Sequence, residues 1–389
     1  MHKDQWELLK QFAAVAVTMF CIMAAIFAFV SITHGQQPRR PGPGNGLTVD
    51  DQRRFEAFVS KLDDTAYSAF LAFGFRAFHD KALSIDYSTS CSSCHDIPNK
   101  GGADGREVAV GMIGNTNSPN GYKGTINTPT IVNTEEGPQF HDKRAASRNV
   151  QCRLPPADKN EMGLPSLQAG LNQMALDPTY SVLLSKAGNL TFTADTFALA
   201  IVAYLDTIKA TDAAVLRYYD FAKGEVKDET AISDAARRGF DVFMLSGCLE
   251  CHRPPYFRDG LCHNTGVFFR ANSSDRGEAG AIAGGVERGI KTASLLNVGR
   301  TRPYGTKGDF RTLRDYLTYL NDGCRFGRQV GNTIVVSVDP LLDRQLATPR
   351  GWSDDQVSDL AIFLVEGMNC YDYPDDDKKE IENDPEGKL

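Results

Sequence analysis

Two Cys-x-x-Cys-His motifs constrain what this chain can fold into more than any other feature of its sequence. They read Cys91-Ser92-Ser93-Cys94-His95 and Cys248-Leu249-Glu250-Cys251-His252. This spacing lets two thiols bond the vinyl groups of one haem while the following imidazole binds the iron. Two such motifs, each preceded by a helix-like stretch, predict two covalently bound haem c groups with His95 and His252 as iron ligands. The expected function is therefore electron transfer or redox catalysis.

Length and composition narrow the class further. The chain has 389 residues, of which 42% are hydrophobic and 23% charged, and its formal net charge is −7. These values are typical of a globular protein with room for two domains. The negative charge argues against a nucleic-acid partner, because nucleic-acid binders usually present a basic face.

The N-terminus carries an uncharged apolar run, residues 12–32. At 1.5 Å per residue such a run can span a bilayer core of about 30 Å, whereas a signal peptide has a shorter apolar region of roughly 7–15 residues. Thr33-His34-Gly35 resembles a cleavage site, so removal stays an alternative. We expect residues 1–33 to be an uncleaved membrane anchor and residues 34–50, rich in Pro and Gly, to be a linker. Because bacteria attach haem c outside the cytoplasmic membrane, we expect a single-pass inner-membrane protein with its body in the periplasm.

The rest of the chain shows helical periodicity around each haem motif. We expect a mainly α fold with two cytochrome-c-like haem domains facing each other, residues 51–222 and 223–373, followed by an acidic tail, residues 374–389. Residues 101–137 are rich in Gly, Asn, Thr and Pro and predict long loops around a cofactor. The expected helices are Phe70–Leu83, Ala194–Ile208, Ala231–Leu245, Thr312–Leu320 and Ser353–Met368.

The remaining cysteines leave two interpretations open. The chain has nine cysteines; four belong to the haem motifs and Cys21 lies in the apolar run. In an oxidising compartment the other four permit up to two disulfides, and otherwise they are buried thiols. Cys324 and Cys370 each follow an expected helix and are the favoured pair; the other two are Cys152 and Cys262.

Several short motifs between residues 69 and 368 resemble the bacterial di-haem cytochrome c peroxidase and MauG family. Residues 72–96 resemble the block across the first haem, and residues 127–130 match the family's Asn-Thr-Pro-Thr turn. Residues 140–145 stand where the family has Phe-Trp-Asp-Gly-Arg-Ala. Gln151 and residues 161–163 follow at the family's spacing. Two further matches, residues 263–266 and 291–304, fit the blocks after the second haem.

The resemblance implies a division of labour between the haems. The first haem, on His95, is expected to be the reactive one, with Glu161 and Gln151 on its distal side. Cleavage of a peroxide O–O bond needs a proton moved from the near oxygen to the far one, which a carboxylate within hydrogen-bond reach can do. The second haem, on His252, is expected to transfer electrons.

The resemblance also implies a Ca²⁺ ion between the haems, bound partly by backbone carbonyls, since hard oxygen ligands suit this ion. Thr301 and Pro303 match the family's carbonyl positions, and Asn115 is the candidate side-chain ligand.

Three departures from the family pattern bear on function. The tryptophan between the haems is replaced by His141, which could ligate or gate a haem or act as a hydrogen-bonded spacer. The histidine of the family's Pro-Tyr-x-His-Asp-Gly loop is replaced by Thr306. The position of the second haem's distal ligand falls on Leu320, which cannot bind iron. The neighbouring Tyr319 is either a MauG-like second ligand or a packed residue, and Tyr316 lies one turn earlier.

The function that these features favour is a membrane-anchored, periplasmic di-haem oxidoreductase that reduces hydrogen peroxide at the first haem with electrons passed through the second. The expected donor is a small cytochrome c, a cupredoxin or a membrane quinol, and a homodimer is compatible with the family. One alternative is a MauG-like oxidase that uses a high-valent di-haem state to modify a partner protein. Another is a non-catalytic, anchored electron-transfer subunit.

Overall fold

The computed structural model describes residues 60–112, 123–124, 126–134, 137–267, 289–330 and 333–370. All of these residues belong to one compact unit. The expected anchor, linker and acidic tail, and with them Asn115 and Cys21, lie outside the described residues. Within the described ranges, no helix combines the length and the apolar character needed to cross a bilayer.

The described chain is mainly helical, as the periodicity predicts. We call residues 60–222 the first half and residues 223–370 the second half. The division of the chain into two domains at this point stays a prediction. The first half contains α1 (Asp64–His79), α2 (Cys91–Cys94), α3 (Ile97–Lys100), α4 (Arg148–Gln151), α5 (Leu167–Met174), α6 (Pro178–Lys186), α7 (Ala194–Leu205) and α8 (Ala214–Tyr218). The second half contains α9 (Asp234–Leu245), α10 (Leu313–Asn321) and α11 (Asp354–Glu366).

The described strands form three two-stranded antiparallel sheets. The strands are β1 (Tyr219–Asp220) with β2 (Glu225–Val226), β3 (Cys262–His263) with β4 (Ile290–Lys291), and β5 (Phe326–Val330) with β6 (Thr333–Ser337). Cys262 pairs with Lys291 and His263 with Ile290, so β3 and β4 hold together the two segments that follow the second haem motif.

Local sequence explains where the helices begin. The hydroxyl of Ser233 caps α9 by accepting from the amide of Ala236 at 3.2 Å. Ser353 caps α11 in the same way through the amide of Gln356, and acidic residues in the first turn of α11 complement the helix dipole. All five helices expected from the sequence are present, with ends shifted by a few residues.

In each half, one pair of helices crosses at a glycine. Helix α1 packs on α7 in the first half, and α9 packs on α11 in the second. A β-carbon on Gly74 would lie 2.1 Å from the backbone oxygen of Ala200, and a β-carbon on Gly239 would lie 2.0 Å from that of Asp359. Only glycine permits backbones to approach this closely. Each half therefore contains one such glycine crossing, and in each half the helix that carries the glycine precedes the haem motif.

Backbone hydrogen bonds join the two halves. The amide of Val215 donates to Gly367 at 2.8 Å, and Ala213 forms a β-bridge with Cys370. The guanidinium of Arg258 donates to the carbonyl of Asn133 at 2.7 Å. The loops around the first haem motif are thus completed by residues of the second half.

The favoured disulfide between Cys324 and Cys370 is wrong. Neither residue forms a disulfide, and neither do Cys152 and Cys262; all four are buried thiols. Burial raises the pKa of the Cys324 thiol to about 12. Of the two interpretations that the sequence left open, the structure supports four buried thiols.

Candidate active site

The first haem motif forms a short helical turn that sets its histidine. The amide of His95 donates to the carbonyl of Cys91 at 2.9 Å, and Ser93 closes the turn by accepting from the amide of Ser90 at 3.0 Å. His95 Nδ1 lies 2.9 Å from the carbonyl oxygen of Gly102. Because a carbonyl can only accept, Nδ1 donates this hydrogen bond, and Nε2 is the nitrogen that would bind iron. Burial lowers the pKa of His95, which favours the neutral ring.

The second motif repeats this arrangement. The amide of His252 donates to Cys248 at 2.9 Å, and His252 Nδ1 donates to the carbonyl of Phe257 at 2.9 Å. Burial lowers the pKa of His252 as well. Both predicted iron ligands are therefore oriented by a backbone carbonyl and kept neutral.

The four motif cysteines are reduced and electrically neutral. None of Cys91, Cys94, Cys248 and Cys251 forms a disulfide. Burial raises the pKa of Cys91 and Cys94 to about 12 and that of Cys248 and Cys251 to about 11. Because the thiols are paired by their spacing and form no disulfide, they are available for the attachment of two haems.

Glu161 lies close to the first haem motif. Burial is the main cause that raises the pKa of Cys91 and of Cys94, and the nearby charge of Glu161 is a further cause for both thiols. The backbone of Glu161 is fixed on both sides, because its amide donates to Asp158 at 3.1 Å and its carbonyl accepts from Met112 at 2.6 Å. The half-buried side chain of Glu161 thus extends from a backbone segment that hydrogen bonds fix near the motif.

Gln151 ends α4 one residue before Cys152. Burial is the main cause that raises the pKa of Cys91, and proximity to Cys152 is the second cause. The end of α4 therefore also lies near the first motif. The structure therefore brings Gln151 and Glu161 to the same motif from two different segments. Cys152 was not expected at this site; only its place next to Gln151 could have indicated it.

His141 lies at the junction of the halves. Its Nε2 donates to the carbonyl of Asn127 at 3.0 Å, and its own carbonyl accepts from the amide of Lys291 at 2.8 Å. The amide of Asn127 in turn donates to the carbonyl of Thr306 at 2.7 Å. Burial lowers the pKa of His141, which favours a neutral ring. With Nε2 engaged, Nδ1 is the nitrogen left for any ligand role.

Thr301, one of the predicted calcium ligands, lies near the segment that follows the first motif. The side chain of Thr301 packs against Gly101, which follows α3. Thr301 ends the turn formed by residues 298–300, and Pro303 comes two residues later. The hydroxyls of Thr128 and Thr306 are buried and, among the described residues, have no hydrogen-bond partner. A polar group or water between the halves would satisfy them.

Tyr319 lies on α10 and its hydroxyl is already engaged. It donates to the carbonyl of Thr265 at 3.0 Å, and its ring packs 5.1 Å from that of Phe310. Leu320, the next residue, is half-buried and packs against the apolar core. In this arrangement Tyr319 serves as a packed, hydrogen-bonded residue, and a role as second ligand would require this hydrogen bond to break.

His263 is clamped between two carboxylates beside the second motif. Its Nε2 lies 2.8 Å from Asp259 and its Nδ1 lies 2.7 Å from Asp343. Burial alone would lower the pKa of His263, but hydrogen bonds to both aspartates raise it overall. Cys251, Asp259 and His263 could also hold a metal ion, with ligand atoms within 4.8 Å of one another. The sequence indicated His263 near the second haem; Asp343, eighty residues away in the chain, carried no such signal.

Comparison with known proteins identifies similar sequences. The family model described as di-haem cytochrome c peroxidase matches residues 68–227. The chain is 30% identical over 282 residues to the cytochrome c551 peroxidase of Pseudomonas aeruginosa, a match that covers 69% of this chain and 76% of that protein. It is 28% identical over 250 residues to the cytochrome c peroxidase Ccp of Escherichia coli (strain K12), covering 62% of this chain. The match spans only 51% of the Escherichia coli protein, about half its length.

A solved structure shares the fold. A MauG-like protein associated with microbial copper homeostasis superposes with a TM-score of 0.64 at 20% identity, and the match covers 87% of this chain and 96% of that one. At this identity the likeness concerns the fold alone, and it supports the mainly helical architecture expected from the sequence.

Proposed function

Because the chain belongs to the di-haem cytochrome c peroxidase and MauG family, we propose that it reduces hydrogen peroxide at the first haem site with electrons that arrive through the second. The observation that carries this proposal is the position of Glu161 beside Cys91 and Cys94. A carboxylate held at a haem motif can take the proton from the near peroxide oxygen and return it to the far one. The amide of Gln151 would orient the peroxide by hydrogen bonding.

The residues at both motifs fit haem c. Four reduced cysteines would form the thioether bonds, and the Nε2 atoms of His95 and His252 would bind the two irons. When bound, haem supplies the iron that accepts peroxide and passes electrons. The chain's own contribution is to hold the histidines by the carbonyls of Gly102 and Phe257 and to move a proton with Glu161.

The same proposal includes the location and the partners. We propose that residues 12–32 anchor the protein in the bacterial inner membrane with its body in the periplasm, where a small cytochrome c, a cupredoxin or membrane quinol donates electrons. Relatives named cytochrome c peroxidase support a cytochrome donor. Membrane fractionation tests the anchor, and sedimentation of the detergent-solubilised chain tests the expected homodimer.

A calcium ion is a further part of this proposal. The carbonyls of Thr301 and Pro303 would bind Ca²⁺ between the halves, with Asn115 as a third ligand. Chelation with EGTA should then lower turnover, and added Ca²⁺ should restore it. Turnover that is insensitive to EGTA would contradict the site.

A MauG-like oxidase, acting on a partner protein, is the second candidate. The observation that favours it is Leu320, because a side chain that cannot bind iron stands where peroxidases place the second haem's methionine. Such an oxidase would react with peroxide and then take electrons from a Trp or Tyr of its partner rather than from a donor cytochrome.

The deciding experiment is peroxide-dependent oxidation of a reduced donor cytochrome by the full-length protein in detergent, compared with Glu161→Gln. We expect Glu161→Gln to lower turnover by at least about 100-fold, the usual contribution of a positioned acid–base group. Glu225→Gln, an exposed residue on β2, is the matched control and should leave turnover unchanged. Fast turnover in Glu161→Gln would contradict the role of Glu161, and absence of turnover in the parent protein would contradict the peroxidase.

A further inference from the structure

Tyr204 occupies the helix crossing of the first half. It lies on α7, where its β-carbon would be 3.1 Å from a β-carbon on Gly74 of α1. Its half-buried ring lies 5.2 Å from the ring of Phe78 and 5.5 Å from that of Phe75. These contacts fix the ring between α7 and α1.

The phenol of Tyr204 is close to Cys91, the sulfur to which the first haem would be joined. Burial is the main cause that raises the pKa of Tyr204, and proximity to Cys91 is the other cause. Two packing relations agree with this proximity. Helix α1 contacts the motif helix α2, and the Cys152 sulfur, which influences Cys91, lies 4.0 Å from the carbonyl of Ala198 on α7.

A group of rings leads from Tyr204 to solvent. The His79 ring lies 6.1 Å from that of Tyr204 and 4.4 Å from that of Phe75. His79 is exposed and Phe75 is 38% exposed. Tyr204 is the member of this group that is readily oxidised, because neither phenylalanine nor imidazole gives up an electron as easily as a phenol does.

The equivalent position in the second half lacks this chemistry. Phe363 meets Gly239 at the second crossing, where its β-carbon would be 2.7 Å from a β-carbon on the glycine, and it is fully buried. Trp352, the one tryptophan among the described residues, is also in the second half and donates to the hydroxyl of Ser246 at 2.9 Å. Among the described residues, the glycine crossing of the first half thus carries an oxidisable ring, and the glycine crossing of the second half carries a phenylalanine at the equivalent position.

We propose that Tyr204 is a redox-active residue that supplies an electron to the first haem site when the donor to the second haem is exhausted. This inference rests on the proposed peroxidase function. Each peroxide needs two electrons and two protons to become two waters. Tyr204 would supply one electron and release its phenolic proton to water, which leaves a neutral tyrosyl radical, and the second haem would supply the other electron. When the reduced donor, a small cytochrome c or a cupredoxin, is again present, it would return one electron to the radical at the surface formed by Phe75 and His79, and water would return the proton.

The test is electron paramagnetic resonance of the full-length, haem-loaded protein frozen shortly after it is mixed with hydrogen peroxide without donor. We expect an organic radical whose hyperfine splitting narrows when the tyrosines are ring-deuterated. Tyr204→Phe should abolish this signal. Tyr219→Phe should keep it, because Tyr219 is likewise half-buried but packs among Phe221 and Phe240, 5.1 and 5.0 Å away. Haem content of each variant shows that the sites are intact.

Donor-dependent turnover in the same preparations separates the two proposals. Normal turnover without a radical, or with a radical that survives Tyr204→Phe, overturns the role of Tyr204 and leaves the peroxidase standing. No turnover in the parent protein overturns both. Peptide mass spectrometry of the peroxide-treated parent gives a readout without a variant: oxidation is expected at Tyr204 in preference to Tyr219, and equal oxidation of the two contradicts the inference.

Discussion

A β-carbon on Gly239 would lie 2.0 Å from the backbone oxygen of Asp359. Helices α9 and α11 therefore touch backbone to backbone, and α9 leads directly into the second haem motif. Gly74 and Ala200 repeat this contact in the first half. The position of each motif thus depends on a contact that only the smallest residue permits.

We expect Gly239→Ala to destabilise the protein by about 1–3 kcal/mol, because an added methyl group must push two backbones apart. Urea unfolding measures this free energy. Gly170→Ala on α5 is the matched control, since the added carbon there would meet the movable methyl group of Leu164 at 2.9 Å. Because alanine favours a helix more than glycine does, helix propensity alone would stabilise both variants. An equal loss in both variants would mean that any added methyl group is destabilising, and that the backbone contact at the crossing has no special role.

The clamp of His263 predicts a pH-dependent stability. Because the pKa of His263 is raised above its unfolded value, the stabilisation is complete below about pH 6.5 and is lost as the pH rises through the folded pKa. Asp343→Asn should therefore lower the melting temperature more at about pH 6 than at about pH 9. Asp343 is 34% exposed, so solvent screening limits the effect to about 1 kcal/mol.

Melting curves of the parent and of Asp343→Asn, each at both pH values, measure this dependence. Asp315→Asn, in the first turn of α10, is a control that lies away from any histidine clamp. A difference between parent and Asp343→Asn that is the same at both pH values would contradict a protonated His263.

The hydrogen bond of Tyr319 predicts a structural rather than a ligand role. Tyr319→Phe should cost about 1 kcal/mol, the usual net value of a hydrogen bond, and should leave the electron paramagnetic resonance spectrum of the ferric second haem unchanged. Tyr316→Phe, one turn earlier on α10, is the control. A changed low-spin signal in Tyr319→Phe alone would instead identify a phenolate ligand and favour the MauG-like oxidase.

The sequence predicted the helices well because their signals are local. Ser353 with its two following aspartates marks the start of α11, and the apolar residues of α9 recur at helical spacing. The prediction of a Cys324–Cys370 disulfide was wrong because the position of a cysteine after a helix does not determine where its sulfur points. The crossing at Gly239 was also beyond prediction, since it depends on which helix lies opposite.

The sequence predicted the site residues that belong to short motifs. It did not predict the residues that reach the site from distant segments of the chain. Each Cys-x-x-Cys-His turn contains its own geometry, so His95 and His252 could be read directly. Cys152, Tyr204 and Asp343 reach the motifs through the packing of other segments, and no spacing in the sequence indicates that. The link from His141 through Asn127 to Thr306 joins three motifs whose residues are far apart in the chain.

That link also bears on the order in which the protein can be made. A ribosome releases Asn127 and His141 long before it reaches Lys291 and Thr306, so the loop above the first haem motif lacks its backbone partners for most of synthesis. Among the described residues, Cys370 is the latest of these partners, and it pairs with Ala213 only when the end of the second half has emerged. The segments that join the two halves are therefore completed by residues near the end of the described chain.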